Sequence, residues 1–326
     1  MHTFPRQAPT SATLVAALAI MSLAACQAKT GDGGAKAADS AAAPVASAPA
    51  ATKVGTVEGF KTPESVRYDA DQDVYFVSNI NGNPSAKDGN GFIARVKAGD
   101  GTVDSMMFIA GGRGGVTLNA PKGMAIRGDT LWVSDIDAVR GFNRRTGALV
   151  ASVDLGRMKA MFLNDVVVGG DGAIYITDTG VRIGNPDADK QPRGDKLFRL
   201  AGRTATVAAS GDTLSKPNGI AWDAGNKRFI VGPFGSTSLM TWAPGDSAPA
   251  TLASGPGQYD GVELLADGRL LVTSWADSSV WSYRGTTPTR LISGVNAPAD
   301  IGIDTKRGRV AVPLFLDNRV ELYEIH

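Results

Sequence analysis

Cysteine and histidine are almost absent from the sequence. Among 326 residues there is one cysteine, Cys26, and there are two histidines, His2 and His326, which lie close to the two ends of the chain. A lone cysteine forms no internal disulfide, and two terminal histidines do not build an interior zinc site or histidine-based catalytic centre. Any metal or catalytic chemistry in the body of the protein is therefore expected to depend on other side chains.

A net charge of one sign and long helical segments are also lacking. The 33 lysines and arginines nearly balance the 32 acidic residues, so no strongly basic face is predicted and nucleic acid is not an expected partner. The 40 glycines and 17 prolines are spread along the chain. This composition is typical of an all-β protein with many short strands and tight turns.

The N-terminus resembles that of an exported bacterial lipoprotein. Arg6 precedes an apolar run over residues 12–25, which is too short to span a bilayer comfortably but matches the apolar part of a secretory signal. The run closes with Leu-Ala-Ala-Cys, which resembles the lipobox, whose cysteine becomes the lipidated first residue after cleavage. We therefore predict a signal peptide over residues 1–25 and a lipid anchor at Cys26. The alternative is a buried thiol beside an ordinary cleavage site.

The residues after Cys26 extend this prediction. The residue after Cys26 is Gln27 and not aspartate. By resemblance to the usual lipoprotein sorting pattern, this favours the outer membrane and a periplasmic location. Residues 26–53 are mainly Ala, Gly, Ser, Pro and Lys, a composition that buries too little apolar surface to fold. We predict a flexible tether over residues 26–53 and a folded body over residues 54–326.

The body repeats one pattern six times. Each copy begins with a segment similar to Pro-x-Gly, followed by a short apolar strand that often ends in Asp, a polar turn, and a second strand that ends in Ser, Thr, Asp or Asn. About 270 residues in six copies give about 45 residues per repeat, which is the size of a four-stranded propeller blade. The copies begin at Pro63, Pro121, Leu163, Pro217, Tyr259 and Pro298.

The two ends of the body complement each other. The C-terminus supplies only a third strand for the last repeat, residues 319–325, whereas residues 54–60 form a strand before the first repeat. Pairing these strands closes the ring and hides the edges that an open array would expose. We predict an all-β fold, a six-bladed β-propeller of four-stranded antiparallel blades in which the N-terminal strand pairs with the C-terminal blade.

One residue at the start of each repeat is expected to point toward the propeller axis, at the same end of the central channel. These residues are Glu64, Lys122, Asn164, Asn218, Asp260 and Ala299. Five are polar, and because buried charges without partners are costly, the ring predicts a ligand. Two carboxylates and two amide carbonyls are hard oxygen donors, which favours calcium and leaves coordination positions for water or substrate. The alternative is an ion that only pins the blades together.

The loop after every second strand is expected on the same face as this ring. Two of these loops are long, residues 79–91 and 179–196. Loops around a ring of ligands are typical of a substrate-binding rim, although they can also be incidental to function. The candidate substrate-binding residues are Lys122, Asn81, Arg182 and Trp275.

The ring resembles that of the gluconolactonase and senescence-marker-protein (regucalcin) family and, more distantly, of paraoxonases and squid-type phosphotriesterases. The resemblance covers residues 54–326, and the family's Glu, Asn, Asn and Asp correspond in order to Glu64, Asn164, Asn218 and Asp260. It implies a divalent cation at these four residues, usually calcium in bacterial members, and hydrolysis of lactones or related esters. Asp260 is the candidate for proton transfer from the attacking water, with a role as ligand only as the alternative.

Lys122 departs from the family pattern. Its ammonium group could repel the metal, bind an anionic substrate such as a carboxylate or phosphate, or replace the ion by pairing with Glu64, Asp165 or Asp300. We predict a monomeric, metal-dependent periplasmic hydrolase of a lactone, sugar lactone or related ester. The alternative is a non-enzymatic propeller that binds a ligand or a protein. Quinone-dependent redox chemistry would need a catalytic histidine, and the interior of the sequence has none.

Overall fold

The computed structural model describes residues 50–181 and 194–326, which form six four-stranded antiparallel sheets. This arrangement confirms the predicted six-bladed β-propeller. The signal peptide, Cys26 and most of the predicted tether lie outside the described residues. Within residues 50–181 and 194–326, no helix is long and apolar enough to cross a bilayer.

Strands are numbered in chain order, and blades one to five each contain four consecutive strands, ordered from the axis outward. The first strand is β1 (Ala51–Glu58). Blade one contains β2 (Pro63–Asp69), β3 (Val74–Asn79), β4 (Phe92–Lys97) and β5 (Val103–Ala110). Blade two contains β6 (Pro121–Arg127), β7 (Thr130–Asp135), β8 (Ala138–Asn143) and β9 (Leu149–Asp154). Blade three contains β10 (Leu163–Val168), β11 (Ile174–Asp178), β12 (Lys196–Ala201) and β13 (Thr204–Ser210).

The remaining blades follow the same plan. Blade four contains β14 (Pro217–Asp223), β15 (Arg228–Pro233), β16 (Ser238–Trp242) and β17 (Ala250–Ser254). Blade five contains β18 (Tyr259–Leu264), β19 (Arg269–Ser274), β20 (Ser279–Arg284) and β21 (Thr287–Ser293). Blade six contains β22 (Gly302–Asp304), β23 (Arg309–Leu314), β24 (Arg319–Ile325) and, as its outermost strand, β1. Short 3₁₀ turns occur at Gly156–Met158 and Asp212–Leu214.

Blade six closes the ring at two places. On its outer side β1 pairs with β24 from Ala51 opposite Ile325 to Glu58 opposite Arg319, as predicted. On its inner side the Asp300 N–H donates to the Glu64 carbonyl over 2.8 Å, which joins blade six to blade one near the axis. The N-terminal strand begins at Ala51, three residues before the predicted start of the body, because main-chain pairing with β24 continues through residues of tether-like composition.

The Asp that ends several inner strands caps the following turn. Its carboxylate accepts main-chain N–H groups two or three residues later: Asp69 from Asp71 over 3.0 Å, Asp223 from Asn226 over 3.1 Å and Asp304 from Lys306 over 3.0 Å. Such side-chain bonds stabilise tight turns. In blades one, four and six this part of the repeat is therefore structural, and it lies at the end of the blade opposite the ring position.

Hydroxyl groups near the ends of the second strands hold neighbouring blades together. Thr177 donates to the Asn218 carbonyl over 2.6 Å and Thr273 donates to the Ala299 carbonyl over 3.1 Å. Ser134 makes the equivalent bond to the Asn164 carbonyl. Each bond fixes the main chain of a ring position from the preceding blade, so the ring geometry is built into the contacts between blades.

The glycine of the Pro-x-Gly pattern is required where inner strands approach each other at the axis. A Cβ atom at Gly219 would lie 2.0 Å from the Asp260 carbonyl oxygen, and one at Gly261 would lie 2.7 Å from the Ile301 nitrogen. Neither contact is sterically possible without movement of the main chain. Apolar clusters fill the space between successive blades outside this contact; the first contains Val66, Tyr75, Val77, Val96 and Leu322.

Candidate active site

The five polar residues of the predicted ring meet at one end of the central channel. Each is the second residue of the inner strand in one of blades one to five, and together they line a cavity of about 100 Å³. These residues are Glu64, Lys122, Asn164, Asn218 and Asp260. All five are nearly fully buried, whereas the sixth ring position, Ala299, is buried without lining the cavity.

Three oxygen atoms of this ring have no hydrogen-bond donor among the described residues. They are Glu64 Oε2, Asn218 Oδ1 and Asp260 Oδ1, and all three are buried. Asn164 is oriented by its Nδ2 atom, which donates to Thr179 Oγ1 over 3.3 Å and leaves its amide oxygen as an acceptor. Buried acceptors are normally satisfied, so unsatisfied oxygens that face one cavity indicate a missing cation or donor.

The donor set fits a hard cation. Carboxylate and amide oxygens are the ligands that calcium prefers, and flexible coordination by two carboxylates and two amides is within its range. In residues 50–181 and 194–326 no cluster of three or more His, Cys, Asp or Glu side chains is arranged to bind a metal. A cation in this cavity would therefore depend on Asn164 and Asn218 as well as on the two carboxylates.

Burial and like charge raise the pKa of both ring carboxylates. Removal from water is the largest cause for Glu64, followed by repulsion from Asp260, and the pKa rises well above its ordinary value. For Asp260, burial again comes first, followed by repulsion from Asp300. The Trp275 indole N–H lies near the Asp260 carboxylate and lowers its pKa slightly, although it does not reach hydrogen-bond geometry. An unliganded ring therefore opposes the ionised form of its own carboxylates.

Lys122 does not replace a cation by forming an ion pair. Its Nζ atom donates to the Ala120 carbonyl over 3.0 Å and lies 4.3 Å from the centre of the Phe162 ring. Among the described carboxylates, none lies within 4 Å of this atom, so the suggested pairing with Glu64, Asp165 or Asp300 is not formed. Burial lowers the pKa of Lys122 to about 8, although Glu64 opposes this change.

An apolar collar, defined as Ile80, Pro84, Phe162, Phe234, Trp275 and Phe315, completes the cavity wall. Trp275 packs edge-on against Phe234, with ring centres 5.7 Å apart, and against Phe315 at 5.3 Å. Trp275 was a predicted substrate-binding residue, and it does line the cavity.

Most of the collar comes from one further repeat position, which the search for polar residues in the sequence did not consider. The residue immediately after each second strand occupies the same repeat position, and three of the collar's aromatic residues occur there. Reading this position through blades one to six gives Ile80, Ile136, Thr179, Phe234, Trp275 and Phe315. Four of these six residues line the cavity. The same comparison of repeats that located the polar ring would therefore have located most of the collar.

The two remaining substrate-binding candidates are not at the cavity wall. Asn81 lies in the predicted loop over residues 79–91 but does not line the cavity, and its Nδ2 atom donates to the Asn90 carbonyl over 3.0 Å. Its neighbours Ile80 and Pro84 supply the contact from this loop instead. Arg182 lies outside the described residues.

A second polar layer lies one to three residues further along the inner strands. Asp300 accepts a hydrogen bond from Ser65 Oγ over 2.5 Å, and Asp165 accepts the Ile220 N–H over 2.8 Å. Arg67 forms an ion pair with Glu263 and approaches Asp300 to 3.8 Å. Burial raises the pKa of Asp165 to about 7. This layer surrounds the site with carboxylates whose hydrogen bonds join blades one, three, four and six.

The fold and the ring together define a class of protein: six-bladed propellers with an oxygen-donor site at one end of the axial channel. Residues 62–302 match the family described as the SMP-30/Gluconolactonase/LRE-like region. The match covers more than half of the chain, which therefore belongs to this family. No curated protein sequence matches the chain significantly.

Solved structures share the fold at low sequence identity. A gluconolactonase of Xanthomonas campestris aligns over 83% of this chain and 88% of its own, with a TM-score of 0.61 and 18% identity. A luciferin-regenerating enzyme aligns over 85% and 94%, with a TM-score of 0.63 and 12% identity. Virginiamycin B lyase of Staphylococcus aureus aligns over 83% and 99%, with a TM-score of 0.56 and 10% identity. These three enzymes differ in name and share the architecture.

Proposed function

We propose that the protein is a hydrolase of a lactone, sugar lactone or related ester and that it depends on a divalent cation, most simply calcium. The observation that carries the proposal is a set of three buried oxygens at one cavity, Glu64 Oε2, Asn218 Oδ1 and Asp260 Oδ1, for which no described residue is a donor. Membership of a family that includes gluconolactonases supports the reaction class. The lipobox-like sequence supports attachment through Cys26 in the periplasm, at the outer membrane.

Glu64, Asn164, Asn218 and Asp260 would hold the cation. When bound, a calcium ion supplies a Lewis acid that polarises the substrate carbonyl and favours the negative charge that develops on its oxygen. Two of the four residues are held in place for this task, because hydroxyl groups of the preceding blades fix the main chain at Asn164 and Asn218. Rigid ligands of this kind keep their geometry when the substrate binds.

Asp260 is proposed to accept the proton of the attacking water. Its Oδ1 atom has no donor among the described residues, so it is available to a water molecule in the cavity. The nearby Trp275 indole restricts the carboxylate on one side. General-base catalysis by a positioned carboxylate contributes about 10²–10⁴-fold to the rate.

Lys122 is proposed to bind a negatively charged or carbonyl oxygen of the substrate. Its ammonium group uses one hydrogen bond on the Ala120 carbonyl, which leaves two N–H groups without carboxylate partners in the described part of the chain. The Phe162 ring beneath it favours the charged form by a cation–π contact.

The proposal is tested by hydrolysis of a lactone and ester panel with the purified protein, in calcium and after treatment with a chelator. We expect turnover that requires the cation and falls about 10³-fold in Asp260→Asn. Elemental analysis should find calcium in the wild type and much less in Glu64→Gln. Absence of metal-dependent turnover across the panel would favour the alternative, a propeller that binds a ligand without converting it.

Membrane attachment is tested separately, by fractionation of cells that express the wild type or Cys26→Ser. The wild type should be recovered with the outer membrane and carry lipid, whereas the variant should not. Recovery of both proteins in the soluble periplasmic fraction would contradict the anchor without affecting the proposed reaction.

A further inference from the structure

The collar differs in chemistry from the ring beneath it. The ring presents carboxylate, amide and ammonium groups, whereas the collar residues Ile80, Pro84, Phe162, Phe234, Trp275 and Phe315 present hydrocarbon surface. The indole N–H of Trp275 is the collar's one side-chain polar group. A substrate that places its carbonyl at the ring must place the rest of its structure against this apolar wall.

Thr179 is the one polar residue at the repeat position that directly follows the second strand, and its hydroxyl group already makes hydrogen bonds within the protein. Thr179 follows the second strand of blade three, as Phe234 follows that of blade four. Its hydroxyl donates to the Pro217 carbonyl over 3.0 Å and accepts the Asn164 amide over 3.3 Å. Both bonds position the ring, and the first uses the only hydrogen-bond donor of this hydroxyl group. Within the described chain, the wall above the ring therefore offers few partners for ligand hydroxyl groups.

The collar is also held rigidly. Trp275 contacts Phe234 and Phe315 in one aromatic group, with ring centres at 5.7 and 5.3 Å. Phe315 in turn packs against a buried cluster of Ile80, Ala120 and Ile136. Main-chain bonds fix the bases of these side chains: the Phe234 N–H donates to the Lys216 carbonyl over 2.9 Å, and the Trp275 N–H donates to the Gln258 carbonyl over 3.1 Å. A fixed aromatic surface binds apolar groups with little loss of side-chain entropy.

We propose that the collar selects substrates with an apolar substituent, so that the physiological substrate is an alkyl- or aryl-substituted lactone or ester and not a polyhydroxylated sugar lactone. This inference rests on the proposed function, because it assumes that the reacting carbonyl lies at the ring. Each hydroxyl group buried against the collar without a partner lowers affinity by about tenfold. Each methylene group that enters it raises affinity by about fourfold.

The test compares γ-butyrolactone, its butyl-substituted form and glucono-δ-lactone as substrates of the calcium-loaded protein. We expect kcat/KM for the butyl-substituted lactone to exceed that for γ-butyrolactone by at least about tenfold, and glucono-δ-lactone to be the poorest of the three. In Phe234→Asn the ratio between the substituted and unsubstituted lactones should fall by about tenfold. The matched variant Phe234→Leu retains an apolar side chain and should keep most of the ratio.

The outcomes separate this inference from the proposed function. Faster hydrolysis of glucono-δ-lactone, or a ratio that Phe234→Asn leaves unchanged, overturns the selection by the collar while the hydrolase proposal stands. If no lactone is hydrolysed, the hydrolase proposal fails, and calorimetric binding of the butyl-substituted γ-lactam compared with the unsubstituted lactam still tests the collar. Equal affinity for the two lactams, or binding of neither, overturns the inference. Circular dichroism of both Phe234 variants confirms that the propeller is intact.

Discussion

At the end of the channel that carries the ring, Glu64 and Asp260 are buried carboxylates, and each has an oxygen that receives no hydrogen bond from the described part of the chain. At the opposite face of the propeller, Asp69 and Asp73 are surrounded by donors. Arg144 Nη1 and Gln72 Nε2 each lie 2.6 Å from the Asp69 carboxylate, and Arg307 and Lys306 contact Asp73 at 2.6 and 2.9 Å. The same residue types are therefore satisfied at one end and unsatisfied at the other.

The pKa changes follow this difference. Burial raises the pKa of Asp69, but hydrogen bonds from Gln72 and Arg144 outweigh it and hold the pKa below its ordinary value. The pKa of Asp73 is lowered by its bonds to Arg307 and Lys306. Glu64 and Asp260 shift in the opposite direction. The opposite face stabilises the fold, whereas the ring, under the proposed function, gives up stability for a site that a cation would complete.

The largest expected change in stability is at the satisfied end. Asp69→Asn removes the buried charge partner of Arg144, whose side chain is only 8% exposed, and should lower the free energy of unfolding by about 3 kcal/mol. Urea unfolding measures this change. The control is Asp71→Asn, since Asp71 contacts the same guanidinium but is 64% exposed, and it should cost less than about 1 kcal/mol. Equal losses of stability in both variants would show that the buried partner of Arg144 contributes no more than the exposed one.

At the ring, a ligand should supply the stability that the side chains alone do not. Calcium at about a hundredfold excess over its dissociation constant should raise the free energy of unfolding by about 2.7 kcal/mol. Glu64→Gln should lose most of this gain, because one of the two carboxylate ligands is removed. Thermal unfolding with calcium and with chelator measures the effect. A wild-type melting temperature that calcium does not change would argue against the cation site.

Comparison of the repeats was sufficient to predict the fold and the ring. Six copies of one pattern and complementary ends determined the number of blades and the closure, and one repeat position placed Glu64, Asn164, Asn218 and Asp260 together. This succeeds because equivalent positions in a propeller lie at equivalent distances from the axis. Most of the collar could have been predicted in the same way, from the repeat position that follows each second strand.

Other features of the site depend on contacts that no repeat position reveals. Lys122 turns to the Ala120 carbonyl and the Phe162 ring, although three carboxylates were plausible partners in sequence. Asn81 turns away from the cavity toward Asn90. These orientations result from packing among long, rotatable side chains, which the local sequence does not specify. The start of β1 at Ala51 was likewise determined by a distant strand and not by local composition.

Replacing Asp by Asn should have the opposite effect on the free energy of unfolding when it is made at the ring and not at Asp69. In the presence of chelator, Asp260→Asn replaces a buried carboxylate that burial and Asp300 disfavour, so the free energy of unfolding at pH 7 should rise by about 1 kcal/mol. Urea unfolding of the two proteins without metal measures this difference. With calcium the order should reverse, because the variant loses a ligand. A destabilised variant under both conditions would show that Asp260 has a structural role.

The smallest effect, and the finest distinction between the two ends, is in the dependence of stability on pH. The pKa of Asp73 is lower in the folded protein than the value of about 3.9 in the unfolded chain, so its contribution is present above that pH and is lost as the pH falls further. Asp73→Asn should therefore lower the free energy of unfolding by about 1 kcal/mol at pH 7, since the pair is partly exposed, and the difference from wild type should shrink below about pH 4.

For Asp260, whose pKa is raised, the folded state binds the extra proton, so without metal the advantage of Asp260→Asn should grow as the pH rises above about 4. Urea unfolding of the three proteins from pH 3 to pH 7 measures both slopes, and slopes of the same sign would mean that the two ends do not differ in the way their carboxylates are held.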